Sequence, residues 1–312
     1  MINPYPGLPE FEYVKPASLK EASDFLHQHK NSACPFLGGT DVFVRLRDRL
    51  SRENYLVDIK RLEGLNNISY DPERGLTIGA AVNMNKVIVS PEINSHYPIL
   101  VEACRSVASY QLRNRATIAG NICNASPAGD TIGACLLLDA KLSINGVNGK
   151  RVVSLQEFFI APGETILGPG DIVTSIHFPV PRPGTQGKYV KLGRNKLSDL
   201  AIVGVTVIGY PNNDLRSGYQ IKIALASVAP VPLVVNQVEE LLSTSAIDEN
   251  IISDAAEIAM KVSSPIDDIR ASARYRKIMV RNLSQTTLQS VWTELTEHSD
   301  NLEQSIKTSR RN

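Results

Sequence analysis

Three prolines and a glycine fall within Pro179-Val180-Pro181-Arg182-Pro183-Gly184, and neither a helix nor a central strand runs through such a segment. The chain is therefore expected to fold as one part before this run and another after it. Upstream, strand and helix signals alternate. Residues 11–14 read as a strand, and Ser18 and Glu21 stand in capping-box spacing ahead of a helix. Leu19, Ala22, Phe25 and Leu26 form that helix's apolar face. Phe36-Leu37 is a short buried strand, 42–50 a helix and 55–59 a returning strand, which together predict a small α/β unit. A second unit starts near Leu65, with a strand at 76–80, a short helix capped by Asn83 or Asn85, and helices at 98–109 and 130–138. A hairpin of 141–144 with 151–153 and a strand at 171–178 close it.

Downstream of the prolines come strand candidates at 188–192, 201–208 and 219–226. Helices at 234–242, 251–262 and about 275–291 follow, so a three-stranded sheet backed by helices is expected. The class is α+β. The expected division is 1–178, with subdomains of about 1–60 and 61–178, then 185–290, then a tail at 291–312. The polar and basic stretch 300–312 reads as frayed.

Bulk properties exclude several functions. Hydrophobic residues make up 43% of the 312, charged residues 21%, and the net charge is +1. Such a chain has no field to recruit nucleic acid, and no basic stripe with interleaved aromatics is present. Arg45, Arg47, Arg49 and Arg52 cluster, but their spacing with Leu46 and Leu50 reads as a solvated helix face. No apolar run reaches the ~20 residues of a membrane span. The start, Met1-Ile2-Asn3-Pro4-Tyr5-Pro6, does not read as a secretory signal, and the expected location is cytoplasmic. Cys34, Cys104, Cys123 and Cys135 form no Cys-x-x-Cys pair, which argues against a zinc or iron–sulfur site held by this chain and for free thiols. His27, His29, His96, His177 and His298 show no ligand spacing.

Two glycine-centred runs carry the chemistry. The first is Leu37-Gly38-Gly39-Thr40-Asp41. The second is Thr117-Ile118-Ala119-Gly120-Asn121, followed by Asn124 to Asp130. Glycine lets backbone approach a ligand and take positive φ, so that successive N–H groups converge on an anion. Two such nests suit a pyrophosphate, and hence a dinucleotide. Neither run follows the Gly-x-Gly-x-x-Gly or Walker pattern, and a Gly-Gly pair alone is more often a turn.

Taken in order with Gln111-Leu112-Arg113-Asn114-Arg115-Ala116 and the late run Pro265-Ile266-Asp267-Asp268-Ile269-Arg270-Ala271-Ser272-Ala273-Arg274-Tyr275-Arg276, these motifs resemble a known family. The chain is similar to the flavin-carrying medium subunit of the molybdenum hydroxylases. That group includes carbon monoxide dehydrogenase, xanthine dehydrogenase, nicotinate dehydrogenase and 4-hydroxybenzoyl-CoA reductase. The resemblance runs from the strand at Phe11 to about Leu288. It implies a two-subdomain FAD-binding domain of the PCMH type and a C-terminal flavoprotein domain.

The resemblance further implies one non-covalent FAD. Pro35, Phe36, Leu37, Gly38, Gly39, Thr40, Asp41 and Val42 match the first pyrophosphate loop, and Thr117, Ile118, Ala119, Gly120 and Asn121 the second. Ala108 matches a residue lining the flavin site, Asp130 an acceptor for a ribose or amide group, and Ile172 a backbone contact near the adenine. Lys191 matches a residue near the isoalloxazine, where a cation favours the anionic reduced ring. Asp130 could equally cap the helix after it, Lys191 could be a solvated edge charge, and Arg113 and Arg115 could offset phosphate charge or face a partner.

Ala119 departs from the glycine usual at that point, which is tolerable only if its φ is negative. Leu37 replaces a smaller residue without consequence. The four-cysteine insertion of the hydroxybenzoyl-CoA reductases is missing, so no cluster is expected here. The implied partners are a large molybdopterin subunit and a small [2Fe–2S] subunit in a dimer of heterotrimers, with this chain exchanging electrons with an external acceptor or donor. A stand-alone FAD oxidoreductase and a scaffold that has lost its flavin are the rival readings. The first lacks a candidate acid, serine or flavin-linking residue, and the second rests on Ala119 alone.

Overall fold

The computed structural model describes residues 7–51, 53–195 and 198–309, of which 298–309 by backbone alone. The elements begin β1 (Glu12–Val14), α1 (Leu19–His29), β2 (Ala33–Phe36), α2 (Val42–Arg47), β3 (Tyr55–Asp58), β4 (Ile68–Asp71) and β5 (Gly75–Gly79). Helices α3 (Met84–Val89), α4 (Pro91–His96), α5 (Pro98–Ser106), α6 (Tyr110–Arg113), α7 (Ile118–Cys123) and α8 (Ile132–Leu137) follow. Strands β6 (Lys141–Gly146), β7 (Gly149–Ser154), β8 (Phe159–Ala161), β9 (Glu164–Thr165) and β10 (Ile172–Phe178) lead to the proline run. After it come β11 (Gln186–Leu192), β12 (Val203–Pro211), β13 (Tyr219–Ala226), β14 (Leu233–Val234), α9 (Asn236–Thr244), α10 (Glu249–Val262) and α11 (Ala273–Ser309). The mixture of helix and sheet is the one expected from sequence.

The chain forms two compact units. The first comprises Met1–Asn94, Val107–Ser126 and Asp139–Val180, and the second Ser95–Ser106, Pro127–Leu138 and Pro181–Asn312. Helices α5 and α8 thus fall in the second unit, although their sequence lies before the proline run.

In the first unit, β1, β3 and β2 form a parallel sheet in that order. Ser18 starts α1 as read from sequence, its Oγ accepting the Glu21 N–H, while the Glu21 carboxylate accepts from Ala17 N at 2.7 Å. The buried side of α1, Ala22 and Leu26, packs with Val57, Ile59, Leu62, Leu65 and Ile172. A five-stranded antiparallel sheet follows, ordered β4-β5-β10-β6-β7. Its first hairpin turns at Asp71, whose Oδ1 accepts the N–H groups of Glu73 and Arg74 at 2.9 Å each.

The second unit holds an antiparallel sheet, β11-β12-β13-β14. It has four strands where three were expected. Leu233 and Val234 pair with Leu225 and Ala224 as a short edge, so α9 begins only at Asn236. Strand β12 is buried on both faces, and its period of two sorts the contacts. Val203, Val205 and Val207 join Val238, Leu242, Ile252, Val280 and Leu288 in the core under α9–α11. Thr206 points the other way, where Gly133 of α8 has no side chain to meet its hydroxyl.

The start of α11 is locked to this sheet by the late family motif. Arg276, 3% exposed, donates to the carbonyls of Ile202 (2.6 Å) and Ser227 (3.2 Å) and to Asp268 (2.7 Å). Asp267 accepts the Ala273 N–H at 2.6 Å and so covers one of the unsatisfied donors at the helix start. The helix then continues through Ser309. Residues 310–312 of the polar stretch 300–312, and Arg52 of the arginine cluster, lie outside the described residues.

Candidate functional site

The first glycine run leaves β2 at Phe36, whose ring is fixed from several sides. Tyr13 meets it edge-on at 5.8 Å, Phe43 at 5.3 Å, and the Lys60 ammonium lies 4.2 Å from its centre. Lys60 is in turn 2.7 Å from Asp58 Oδ1, while the Tyr13 hydroxyl donates to Asp58 Oδ2 at 2.6 Å. The backbone turns over this ring at Gly39, with φ +74°, where a Cβ would come within 2.5 Å of the ring. Gly38 backs onto Arg115, and a Cβ there would overlap the Arg115 carbonyl oxygen. Both glycines are therefore required by the chain's own packing. Asp41 precedes α2 without capping it; its carboxylate accepts from the Thr40 hydroxyl and from the Asn124 amide, each at 3.2 Å.

The second run is a helix start, which its alanine, glycine and asparagine disguise in sequence. Thr117 is the N-cap of α7, its Oγ1 accepting the Gly120 N–H at 2.8 Å. Thr117 also bridges to Asn83, and the Met84 N–H donates to Ala116 O at 2.9 Å. Ala119 is helical without positive φ, and its methyl is buried at 2% exposure, so it neither strains the backbone nor intrudes on a ligand. The N–H groups of Ile118 and Ala119 open the helix and have no acceptor within it. Gly120 differs from Gly38 and Gly39. A Cβ there would meet only Thr117 Oγ1, at 3.0 Å, with open space otherwise.

The structure thus brings the two runs together within the first unit. Gly38 abuts the residues just before Thr117, and Asn124 at the end of α7 reaches back to Asp41. Unspent helix-start donors, a dipole end and a glycine with free space beside it fit a pyrophosphate. Ala108 takes φ +39°, and the Arg113 guanidinium donates to its carbonyl (3.2 Å) and to that of Val107 (2.7 Å). Arg113 is therefore a strut for this strained turn. Ile172 is buried in the core with α1 and β3, and α7 lies against the strand that carries it.

Asp130 and Lys191 lie in the second unit, and the structure joins them. Lys191 Nζ donates to Asp130 Oδ2 at 2.8 Å and to the Ser106 carbonyl at 3.2 Å. The Tyr189 hydroxyl donates to Asp130 Oδ1 at 2.6 Å. Asp130 is thus no helix cap; Thr131 takes the N-cap position of α8. Nor is Lys191 a solvated edge charge, since its side chain is 13% exposed and that of Asp130 8%. Burial pushes the Asp130 carboxyl above the ordinary range, against the pull of Lys191 and Tyr189. Burial and the neighbouring carboxylate likewise raise the Tyr189 phenol well above its usual value.

Sequence reasoning missed Tyr189, Arg113 as a strut and the Asn124–Asp41 tie. Only the first had a readable signal: Tyr189 and Lys191 are two apart on one strand and so share a face. Among the described residues no cluster of metal-binding side chains occurs, and no helix is long and apolar enough to cross a membrane. None of the four cysteines is in a disulfide.

Comparison with known proteins gives consistent results. Residues 9–181 match the family described as FAD binding domain in molybdopterin dehydrogenase, and 188–291 the CO dehydrogenase flavoprotein C-terminal domain. The carbon monoxide dehydrogenase medium chain of Hydrogenophaga pseudoflava is 32% identical over 286 residues, 91% of this chain and 98% of that one. The glyceraldehyde dehydrogenase medium chain of Sulfolobus acidocaldarius is 32% identical over 287 residues, 91% and 99% of the two chains. The solved carbon monoxide dehydrogenase of H. pseudoflava that lacks the Mo-pyranopterin moiety superposes with a TM-score of 0.87 at 30% identity, covering 92% of this chain and 99% of that one.

Proposed function

We propose that this chain, which belongs to the family of FAD-binding medium subunits of the molybdenum hydroxylases, carries electrons between the iron–sulfur clusters of a small partner subunit and an external acceptor or donor. The chain is an oxidoreductase subunit with an FAD-binding domain. The observation that carries the reading is the packing of the two glycine runs onto each other, Gly38 against Arg115 and Asn124 onto Asp41, with Gly120 in the first turn of α7, where a Cβ would meet only the Thr117 hydroxyl, at 3.0 Å.

In the first unit, the segments from Pro35 to Val42 and from Thr117 to Asn121 hold the FAD pyrophosphate. Ala108 lines the flavin site, and the backbone at Ile172 meets the adenine end. In the second unit, Asp130 accepts from a ribose or amide group, and Lys191 lies near the isoalloxazine, where its ammonium favours the reduced, anionic ring. When bound, FAD supplies the exchange between one-electron and two-electron carriers, and the protein supplies orientation and electrostatics.

The organic substrate is handled on a large molybdopterin subunit, and the assembly is a dimer of heterotrimers in the cytoplasm. Purifying the chain by an affinity tag from its native cells, then measuring molybdenum, iron and flavin, tests this. Molybdenum and iron in fixed proportion to flavin are expected. A flavin-loaded chain that purifies free of both metals and oxidises an organic substrate unaided would overturn the proposal.

A further inference from the structure

We propose that Tyr189 is a positioning residue that acts through Asp130 to fix the Lys191 ammonium where it serves the flavin. This inference rests on the reading of Lys191 as a flavin-ring residue. Its geometry lies wholly within the second unit.

Strand β11 places Tyr189 and Lys191 on one face, and both reach the same buried carboxylate, through Oδ1 and Oδ2 respectively. The tyrosine is itself immobilised. Its backbone N–H donates to Glu102 Oε2 at 3.0 Å, the residue is 6% exposed, and Gly204, opposite Lys191 on β12, lies beside its hydroxyl. A Cβ on Gly204 would sit 3.0 Å from the Tyr189 hydroxyl, so the lack of a side chain at 204 is what leaves room for it.

The ammonium has three N–H donors. Two are used, on Asp130 Oδ2 and the Ser106 carbonyl, which leaves one directed by the first two. With one carboxylate oxygen occupied by the phenol, Asp130 cannot turn to draw the ammonium onto both oxygens. Removing the phenol hydroxyl frees that oxygen, and Lys191 is then drawn further onto Asp130 and away from its outward task. Besides the part of an acceptor for ribose or amide groups, Asp130 takes that of counter-charge between a fixed phenol and a functional ammonium.

The test is a double-mutant cycle on the FAD-loaded chain, read as the flavin midpoint potential, which reports the ratio of affinities for reduced and oxidised FAD. Lys191→Met is expected to lower that ratio about tenfold, equivalent to about 30 mV for a two-electron couple. Tyr189→Phe is expected to lower it about threefold when Lys191 is present and not at all in the Lys191→Met background. Gly204→Ala, which displaces the hydroxyl without deleting it, is expected to act like Tyr189→Phe and serves if that variant fails to fold.

Equal effects of Tyr189→Phe in both backgrounds, or none in either, would overturn the positioning role while leaving Lys191 as a flavin residue. A Lys191→Met chain with unchanged potential would overturn the underlying reading and this inference with it.

Discussion

Gly38 lies flush against Arg115, so that a side chain on the one would overlap the carbonyl oxygen of the other. Through this contact the turn after β2 and the segment before α7 become one piece. Gly38→Ala is accordingly expected to cost about 2 kcal/mol or more of folding stability, through overpacking against backbone that cannot yield.

Gly120→Ala separates ligand room from folding. Its Cβ meets only the Thr117 hydroxyl, at 3.0 Å, and alanine is the better helix former. Apo stability is expected to stay level or rise by up to ~1 kcal/mol. FAD affinity is expected to fall by about tenfold or more, which corresponds to ~1.4 kcal/mol. Chemical denaturation and a fluorescence titration with FAD measure the two, and parallel changes in both would contradict the distinction.

Thr117 tests the helix start. Thr117→Ala removes the cap on the Gly120 N–H and is expected to cost about 1 kcal/mol, whereas Thr117→Ser keeps it and should lie much nearer wild type. Thermal unfolding of the three apo proteins compares them directly.

Arg276 is expected to be required for the second unit and not for FAD chemistry. Arg276→Met takes one donor from Asp268, which keeps Arg270 and the Ala271 N–H, and removes the guanidinium from the carbonyls of Ile202 and Ser227, at a cost of about 3 kcal/mol. Urea unfolding gives the loss, and an unaltered flavin potential in whatever folded protein remains would confirm that the role is structural.

Asp268 makes the same anchor sensitive to acid. Burial alone would raise its carboxyl, but the N–H groups of Arg270 and Ala271 and the guanidinium groups of Arg276 and Arg270 hold it well below the ordinary range. Its contribution is therefore present in full above its unfolded value of about 4 and is lost as pH falls toward the lower folded value. The difference in urea midpoint between wild type and Asp268→Asn should be largest near pH ~6 and shrink toward pH ~3. A difference that does not change with pH would contradict this.

The parts of the fold legible in sequence were those with local signals. Strand β13 coincides with the expected 219–226 because a long apolar run between polar turns admits little else, and the cap at Ser18 follows from spacing. Val234 of β14 falls inside the expected helix 234–242, since an apolar residue directly before a helix looks like part of its first turn. Helix α7 is hidden in a run whose glycine and asparagine read as loop. At the site, the two glycine runs were visible, but the reasons for their glycines were not. Gly38 and Gly39 are set by backbone and ring contacts that only the folded chain supplies. The Asp130–Tyr189 bond spans 59 positions, and no local pattern encodes it.

The most direct test of the account is the absorbance spectrum of the purified chain before and after acid precipitation. One FAD per chain, released in full to the supernatant, is the expected result. A colourless chain that takes up no added FAD would contradict the site at Thr117 to Asn121, and flavin that stays with the precipitate would contradict its non-covalent character.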